Sequence, residues 1–236
     1  MQLFYHPEIS PSEKQVIFPK DESKHIVKVL RKKEGDILHI TNGKGFLFET
    51  ELRVAGTNSC IAEIRSYKET APPAYYLHLA VAPTKMNDRY EWFLEKTAEI
   101  GVQEITPIIC EHSERKVVKL ERFERVLQSA VKQSLHTFMP KLNEAVPFNE
   151  FLEQHREGQR YIAHCEDQQE KSSLKGRLQL NSPVTILIGP EGDFSSEEIK
   201  LALQHRWTPV SLGESRLRTE TAAIVACHTV ALAHEN

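Results

Sequence analysis

The chain has 236 residues, of which 40% are hydrophobic and 27% are charged, and its formal net charge is −3. This composition is typical of a globular protein with a large core, built as one large domain or two small ones. It excludes a chain that is basic throughout, so any nucleic-acid contact must come from local patches. No apolar run approaches the length of a membrane span, and the charged, proline-broken amino terminus is unlike a signal peptide. We therefore expect a cytoplasmic protein with no membrane partner.

The first seventy residues predict a small β-barrel. A short alternating strand opens the chain, and the helix-like segment 21–31 follows it. Asn42-Gly43 is a strong hairpin signal, and the segments on either side of it alternate as strands do. Pro72-Pro73 stops regular structure, which predicts a boundary there. The predicted domains are residues 1–70 and 74–236.

The pattern changes beyond this boundary, where apolar strands alternate with helices. Strands are predicted near residues 76–82, 104–109, 160–164, 184–188 and 208–212. Helices are predicted from Asp88, which would cap one, to Gly101, and from Leu120 to Met139. This alternation predicts a mainly parallel α/β sheet with helices between its strands.

Two groups of basic residues are candidates for RNA contacts. From His112 to Lys141 there are seven Lys or Arg residues against three acids, and a second basic group lies near the amino terminus. Such local patches can supply phosphate contacts on a weakly acidic protein, although solvated helix faces are the alternative. The candidate RNA-binding residues are Lys24, Lys28, Arg31, Arg115, Lys116, Arg122 and Lys132.

Cysteine and histidine spacing favours neither a metal site nor a disulfide framework. The four cysteines are widely separated, without a C-x-x-C pair, and no histidine pair at helical spacing flanks a glutamate. We expect reduced thiols and no bound metal.

The apolar run Val184–Ile188 leads into a glycine turn, residues 189–192, and then a helix. Ser195 and Glu198 form a capping box that marks the start of this helix. The turn contains no lysine, and Glu191 and Asp193 would repel an anion, so a P-loop is not expected. Those carboxylates suit an adenosine-bearing ligand with a positive centre; an ordinary strand-to-helix turn is the alternative.

A second loop follows the next strand. Gly213 ends that strand, Arg216 and Arg218 follow, and Thr219 is predicted to cap a helix. The helix is alanine-rich and apolar almost all round, so we expect it to be buried or to lie in a subunit interface. A capping and salt-bridge cluster is the alternative interpretation of the two arginines.

The pair LIGPEGDF and LGESRLRTETA closely resembles the two cofactor-loop motifs of the RsmE-type ribosomal RNA (uridine-N3) methyltransferases of the SPOUT class. The segments HIVKVLRKKEGD, TNGKG and WFLEKTAEIGVQEITPI extend the resemblance over most of the chain. It implies a PUA-like β-barrel, then a knotted α/β domain in which the chain after residue 212 is threaded through an earlier loop, with helices on both faces of the sheet. It also implies S-adenosylmethionine as the methyl donor, 16S ribosomal RNA of the small subunit as substrate, and a homodimer.

The resemblance further implies a set of site residues. Arg218 would be a cation facing the base carbonyls or a phosphate, and Glu220 a candidate base, because N3 of uridine carries an imide proton that must leave. Two other functions stay open: a SPOUT enzyme acting on another RNA, and an RNA-binding assembly factor without catalysis. The implied cofactor-binding residues are His164, Ile188, Gly189, Pro190, Glu191, Gly192, Leu212, Gly213, Leu217, Thr221 and Ala222.

Overall fold

A computed structural model describes residues 1–154, 157–166 and 171–235. Its residues fall into two compact units. The first consists of Met1–Pro72 with Val131–Met139, and the second of Pro73–Ala130 with Pro140–Asn236.

The first unit is a five-stranded sheet around an apolar core. In spatial order the strands run β1-β3-β4-β5-β2; β1 pairs parallel with β3 and the other pairs are antiparallel. Two register shifts in the long β4–β5 ladder increase the curl of the sheet. Phe4, Phe18, Phe48 and Ile26 are buried inside it. The elements are β1 (Leu3–Tyr5), β2 (Gln15–Phe18), α1 (Lys20–Lys24), a π-helical turn (His25–Val29), β3 (Ile37–Thr41), β4 (Phe46–Ala55) and β5 (Cys60–Glu69).

The second unit is built on an eight-stranded sheet in which every pairing is parallel. Its strands are β6 (Leu77–Val81), β7 (Glu104–Ile109), β8 (Lys141–Leu142), β9 (Val146–Pro147), β10 (Gln159–Ala163), β11 (Ser172–Ser173), β12 (Val184–Ile188) and β13 (Thr208–Ser211). The spatial order is β11-β13-β10-β12-β6-β7-β8, and β9 also pairs with β7. The helices are α2 (Asn87–Ile100), α3 (Leu120–Ser134, whose residues 131–134 belong to the first unit), α4 (Phe148–Glu153), α5 (Leu174–Arg177), α6 (Ser196–Gln204) and α7 (Thr219–Ala233).

Helices cover both faces of this sheet, as predicted. On one face α4 and α6 bury Phe151, Ile199 and Trp207 against Ile162 and Leu187 of the strands. Helix α7 packs on α2 and on β6 and β12 on the other face, and α5 also contacts it. The five predicted strands therefore correspond to β6, β7, β10, β12 and β13.

The chain order around β13 matches a threaded polypeptide. Strand β13 lies between β10 and β11, although β11 belongs to the segment that connects β10 to β12. The chain enters β13 from α6 on one face and leaves it for α7, which lies with α5 on the other face. It therefore passes between β10 and the segment returning to β12, in agreement with the implied knot.

Several helix ends differ from the predictions. Helix α3 ends at Ser134 and not at Met139, because Leu135 adopts a left-handed φ of 60°. The extended residues beyond it pair with the β3–β4 turn: Gly45 N donates to Thr137 O at 2.9 Å, and Met139 N donates to Gly43 O at 2.9 Å. These tertiary hydrogen bonds replace the predicted last turn of helix.

Of the four predicted helix caps, two are confirmed and two are wrong. The Ser195 capping box is present, and Gly101 ends α2 with a φ of 111°. The other two predictions are wrong: Arg218 is the N-cap residue of α7 in place of Thr219, and Met86 that of α2 in place of Asp88, each without a side-chain cap hydrogen bond. In both, the chain becomes helical one or two residues earlier than the local side chains suggest.

A polar network at the β6–β7 edge surrounds the Glu104 carboxylate. Burial by itself would raise the pKa of this carboxyl group. Hydrogen bonds from Tyr76 and Asn143, together with the charges of His78 and Lys141, outweigh burial and lower the pKa to about 2. The ionised form of Glu104 therefore stabilises the folded second unit. Among the described residues, no helix is both long and apolar enough to cross a membrane.

Candidate active site

Two cavities lie at the carboxyl ends of β10, β12 and β13. The larger has a volume of about 650 Å³ and the smaller about 410 Å³. Both are lined by Ala163, Cys165, Arg216, Leu217 and Ala222, so they adjoin and form one crevice. Ligands of α/β folds bind at the carboxyl edge of the parallel sheet, in the crevice between strands whose connections run to opposite sides.

The larger cavity combines apolar walls with one buried histidine. Leu212, Leu217 and Ala222 supply apolar surface. His164 is 7% exposed, and neither ring nitrogen has a hydrogen-bond partner among the described residues. Burial, and after it the charge of Lys171, lower the pKa of His164, so the ring is neutral at neutral pH. A neutral imidazole offers one donor and one acceptor, which suits a polar ligand in a cavity that also has apolar walls.

Asp193 fastens the glycine turn to the loop after β10. Its Oδ2 accepts a hydrogen bond from Cys165 N at 2.7 Å, and its Oδ1 accepts one from Phe194 N at 2.9 Å. Asp193 has a left-handed φ of 64°, a conformation that Asp tolerates better than most residues. The two loops that border the crevice are thus joined by a carboxylate.

A side chain at Gly189 or Gly192 would crowd neighbouring residues of the protein. A Cβ on Gly189 would stand 3.0 Å from Phe194 Cδ2 and 3.1 Å from Phe194 N. A Cβ on Gly192 would stand 3.2 Å from His112 Cβ. The third glycine, Gly213, has a φ of 136° and nothing within 4 Å of its virtual Cβ, so its backbone angle is the requirement there.

The smaller cavity is lined by three arginines. Arg216 and Arg218 come from the loop that leaves β13, and Arg89 comes from the first turn of α2. Arg218 is exposed at the N-cap of α7. Glu191, the acidic group of the glycine turn, accepts a hydrogen bond from Lys85 N at 2.9 Å. The cavity is therefore rich in cations that can meet an anionic or carbonyl oxygen.

Glu220 lies behind this wall and does not line either cavity. Its side chain is 6% exposed, and its Oε1 is 3.8 Å from Arg89 Nε. Its Oε2 is buried without a hydrogen-bond partner among the described residues. The carboxylate is in a position to orient Arg89.

Most of the predicted cofactor-binding residues meet in the crevice. His164, Leu212 and Gly213 line the larger cavity, Ile188, Gly189, Pro190 and Glu191 line the smaller one, and Leu217 and Ala222 line both. Gly192 faces His112, and neither Gly192 nor Thr221 is among the residues that line the two cavities.

The predicted RNA-binding residues are divided between the two units. Lys24, Lys28, Arg31 and Lys132 belong to the first unit, and Lys132 pairs with Glu22 at 3.4 Å. Arg115, Lys116 and Arg122 belong to the second.

In the second unit, two of these side chains already have partners within the protein. Arg115 donates to Lys85 O at 2.8 Å, and Arg122 donates to Glu91 Oε2 at 3.1 Å. Lys116 is exposed.

The chain matches described families over nearly its whole length. Residues 71–231 match a family model described as an RNA methyltransferase domain, and residues 18–65 match one described as an RNA methyltransferase PUA domain. The ribosomal RNA small subunit methyltransferase E of Rickettsia conorii is 31% identical over 215 residues, which are 90% of this chain and 87% of that protein. This chain belongs to the ribosomal RNA small subunit methyltransferase E family.

Solved structures give the same fold. The crystal structure of a probable rRNA methyltransferase from Porphyromonas gingivalis has 40% identity and a TM-score of 0.89, and it covers 98% of this chain and 97% of that one. The ribosomal RNA small subunit methyltransferase E of Neisseria gonorrhoeae, solved bound to S-adenosyl methionine, has 27% identity and a TM-score of 0.86, and covers 96% and 95%. These likenesses confirm the predicted α/β fold class with its PUA-like amino-terminal part.

Sequence reasoning missed Arg89 in this family member's crevice and did not find the structural role of Asp193. Arg89 follows the carboxyl end of β6, the strand beside β12, so a list of charged residues just after strand ends would have found it. Asp193 is visible in the glycine turn, but its partner Cys165 N is 28 residues away in the chain. No local pattern indicates that pairing.

Proposed function

We propose that this member of the family is an S-adenosylmethionine-dependent methyltransferase that methylates N3 of a uridine in 16S ribosomal RNA of the small subunit. The observation that carries the proposal is the crevice, where the LIGPEGDF and LGESRLRTETA loops meet beside His164, whose ring nitrogens have no hydrogen-bond partner in the part of the chain that the structure describes. Two adjoining cavities, one with apolar walls around a buried histidine and one lined by three arginines, suit a methyl donor beside a pyrimidine.

The residues of the larger cavity fit the donor. An adenine ring requires apolar walls, supplied by Leu212, Leu217 and Ala222, and a polar partner, supplied by neutral His164. Glu214 in the larger cavity and Glu191 in the adjoining smaller one are acidic groups available for the positive charges of the donor. The predicted contacts of Gly192 and Thr221 stay a prediction, and neither residue lines the cavities.

The smaller cavity suits the base. Bound S-adenosylmethionine supplies a methyl group on a positive sulfur: N3 of uridine forms the new N–C bond, the C–S bond breaks with its electron pair going to sulfur, and the imide proton leaves to solvent. Arg218, exposed at the N-cap of α7, would stabilise negative charge on the base carbonyl oxygens. We keep Glu220 as a site residue, but its buried carboxylate argues for an indirect role.

We also propose a homodimer and RNA contacts from both parts of the chain. The outward side of α7 carries Ile224, Val225 and Leu232, and Leu232 is 49% exposed. An apolar face of this kind is typical of a subunit interface. The RNA contacts would come from the candidate basic residues, of which Lys24, Lys28, Arg31 and Lys116 are exposed. The predicted domains, 1–70 and 74–236, remain part of the proposal, as does a cytoplasmic location beside the ribosome.

The test uses unmodified small ribosomal subunits and radiolabelled S-adenosylmethionine. Label in 16S RNA that digests to N3-methyluridine supports the proposal, and Arg218→Ala serves as the inactive control. Label found in transfer RNA alone would favour a related enzyme with another substrate. Donor binding by calorimetry without any label in RNA would contradict catalysis, and absence of donor binding would favour an assembly factor.

A further inference from the structure

Arg89 stands at the wall of the crevice nearest to β6. It occupies the first turn of α2 and lines the smaller cavity together with Gly189 and Arg218. Its side chain is 40% exposed, whereas that of its partner Glu220 is 6% exposed. The guanidinium group is therefore accessible from the cavity while its Nε side faces the protein.

The Arg89–Glu220 pair is a poor stabilising device. Burial of a carboxylate costs free energy that one cation at 3.8 Å and the amino terminus of α7 must offset, and Glu220 Oε2 has no hydrogen-bond partner among the described residues. Apolar side chains at the two positions would pack at lower cost. An arrangement that costs stability at the edge of a crevice calls for a functional explanation.

We propose that Arg89 is a second catalytic cation for the base and that Glu220 is a positioning residue that orients it. The inference rests on the proposed function. As the imide proton of uridine leaves to solvent, negative charge develops on the carbonyl oxygens that flank N3. Arg89 and Arg218, at the start of α2 and of α7, both line the cavity in which this charge would form. Glu220 holds the Nε side of Arg89, which leaves the two Nη atoms for the base.

The carboxylate of the methyl donor is the competing anion. Arg89 lines the smaller cavity and is not among the residues that line the larger one, where His164 and the apolar walls suit the adenosine part. Arg89 lines this smaller cavity together with Arg218, the cation assigned to the base, which favours the base as its partner. The implied cofactor residues Ile188–Glu191 line the same cavity, so donor affinity is measured beside the rate. The two possibilities have different consequences for donor affinity.

Arg89→Met removes the charge and keeps most of the side-chain volume. We expect single-turnover methyl transfer at saturating donor to fall by about 100-fold, as on loss of one donor to a developing oxyanion. The dissociation constant of S-adenosylmethionine, measured by calorimetry, should stay within about twofold because the larger cavity is intact. Arg89→Lys keeps the charge without the planar fork, so it should fold normally and show an intermediate rate.

The pH profile separates a catalytic cation from a structural one. A positive group beside the base favours its anion, so removing that group raises the pH at which the rate levels off, by about one unit. Glu220→Gln should cause a smaller shift of the same sign. The double variant should be no slower than Arg89→Met alone, because the two residues act as a unit.

Lys96→Met is the matched control. Lys96 is on the same helix and pairs with Glu95 and Glu99, but it does not line either cavity. Its rate and pH profile should equal those of the unsubstituted protein. An equal loss of rate and donor affinity in Arg89→Met would assign Arg89 to the donor carboxylate and overturn the inference. An unchanged rate and pH profile in Arg89→Met would also overturn the inference. A double variant whose loss of rate equals the product of the two single losses would do so too. If the unsubstituted protein transfers no methyl group to 16S ribosomal RNA, the proposed function fails. That result differs from every outcome that concerns Arg89 alone.

Discussion

The hydrogen bonds of the Asp193 carboxylate make the strongest quantitative prediction. Asp193→Ala removes both acceptors and places alanine at a φ of 64°. A hydrogen bond to a charged group contributes about 1.5–3 kcal/mol. Because the bond from Cys165 N is exposed to solvent, we assign the two hydrogen bonds of Asp193 a combined contribution of about 2–3 kcal/mol. The left-handed backbone adds about 1 kcal/mol for alanine. We therefore expect the free energy of unfolding to fall by about 3–4 kcal/mol, and Tm by about 10 °C.

Donor binding should weaken along with stability. Without Asp193, the glycine turn is no longer tied to the loop after β10, and the donor must restore that arrangement. If each molecule holds the turn in place for about a tenth of the time, the apparent Kd of S-adenosylmethionine rises about tenfold. Denaturant unfolding measures the first quantity and calorimetry the second.

Two variants complete the test. Asp193→Asn tolerates the left-handed backbone and keeps one oxygen acceptor, so its loss should be roughly half that of alanine. Asp36→Ala is the control: Asp36 accepts a hydrogen bond from Lys33 N at 2.8 Å in an exposed turn of the first unit. It should leave donor affinity unchanged. Normal stability of Asp193→Ala would refute the hydrogen-bond argument, and normal donor affinity despite lost stability would refute the location of the donor.

Four further predictions follow from single residues. Arg218→Ala should lower methyl transfer by about 100-fold with an unchanged Tm, because its side chain is exposed at the crevice; near-normal activity would remove it from the mechanism. His164→Ala should raise the Kd of S-adenosylmethionine by about tenfold through loss of one hydrogen bond, and calorimetry showing equal affinity would contradict that role. Glu104 has a folded-state pKa lowered from 4.5 to about 2, so its contribution to stability is complete above pH 4.5 and is lost as pH falls toward 2. Allowing for partial exposure, the loss is on the order of 2 kcal/mol in urea unfolding, and Glu104→Gln, which cannot titrate, should lack it; an identical pH dependence in both proteins would disprove the assignment. Leu232→Glu should shift the protein toward monomer in sedimentation velocity if α7 forms the homodimer, and an unchanged dimer would locate the interface elsewhere.

The sequence predicted those features that depend on neighbours along the chain. Val184–Ile188 is apolar at every position, and the strand it predicts is buried at every position. Ser195 and Glu198 lie three residues apart, so their capping box can be read directly. The helix predicted to Met139 failed for the opposite reason, since Thr137 and Met139 bond to residues more than ninety positions earlier.

The candidate site shows the same division. The sequence indicated the two loops and the arginines within them, because glycine turns after apolar strands and Arg-x-Arg before a helix are local patterns. It gave Glu191 and Asp193 the same meaning, as carboxylates for a cationic ligand. In the structure both line the smaller cavity, but one oxygen of Glu191 accepts a hydrogen bond from Lys85 N, whereas both oxygens of Asp193 accept hydrogen bonds from backbone amides.

The sequence by itself determined the elements, their order and the two motifs, because periodicity, capping and turn chemistry act over a few residues. The tertiary structure alone decided which strand ends are neighbours, and therefore that Arg89 and Glu220, more than a hundred residues apart, meet behind one wall of the crevice. It also placed Phe194 and His112 close beside Gly189 and Gly192, where a larger side chain would crowd them. Contacts of this kind depend on the packing of parallel strands and helices that are distant in the chain, and no local pattern records them.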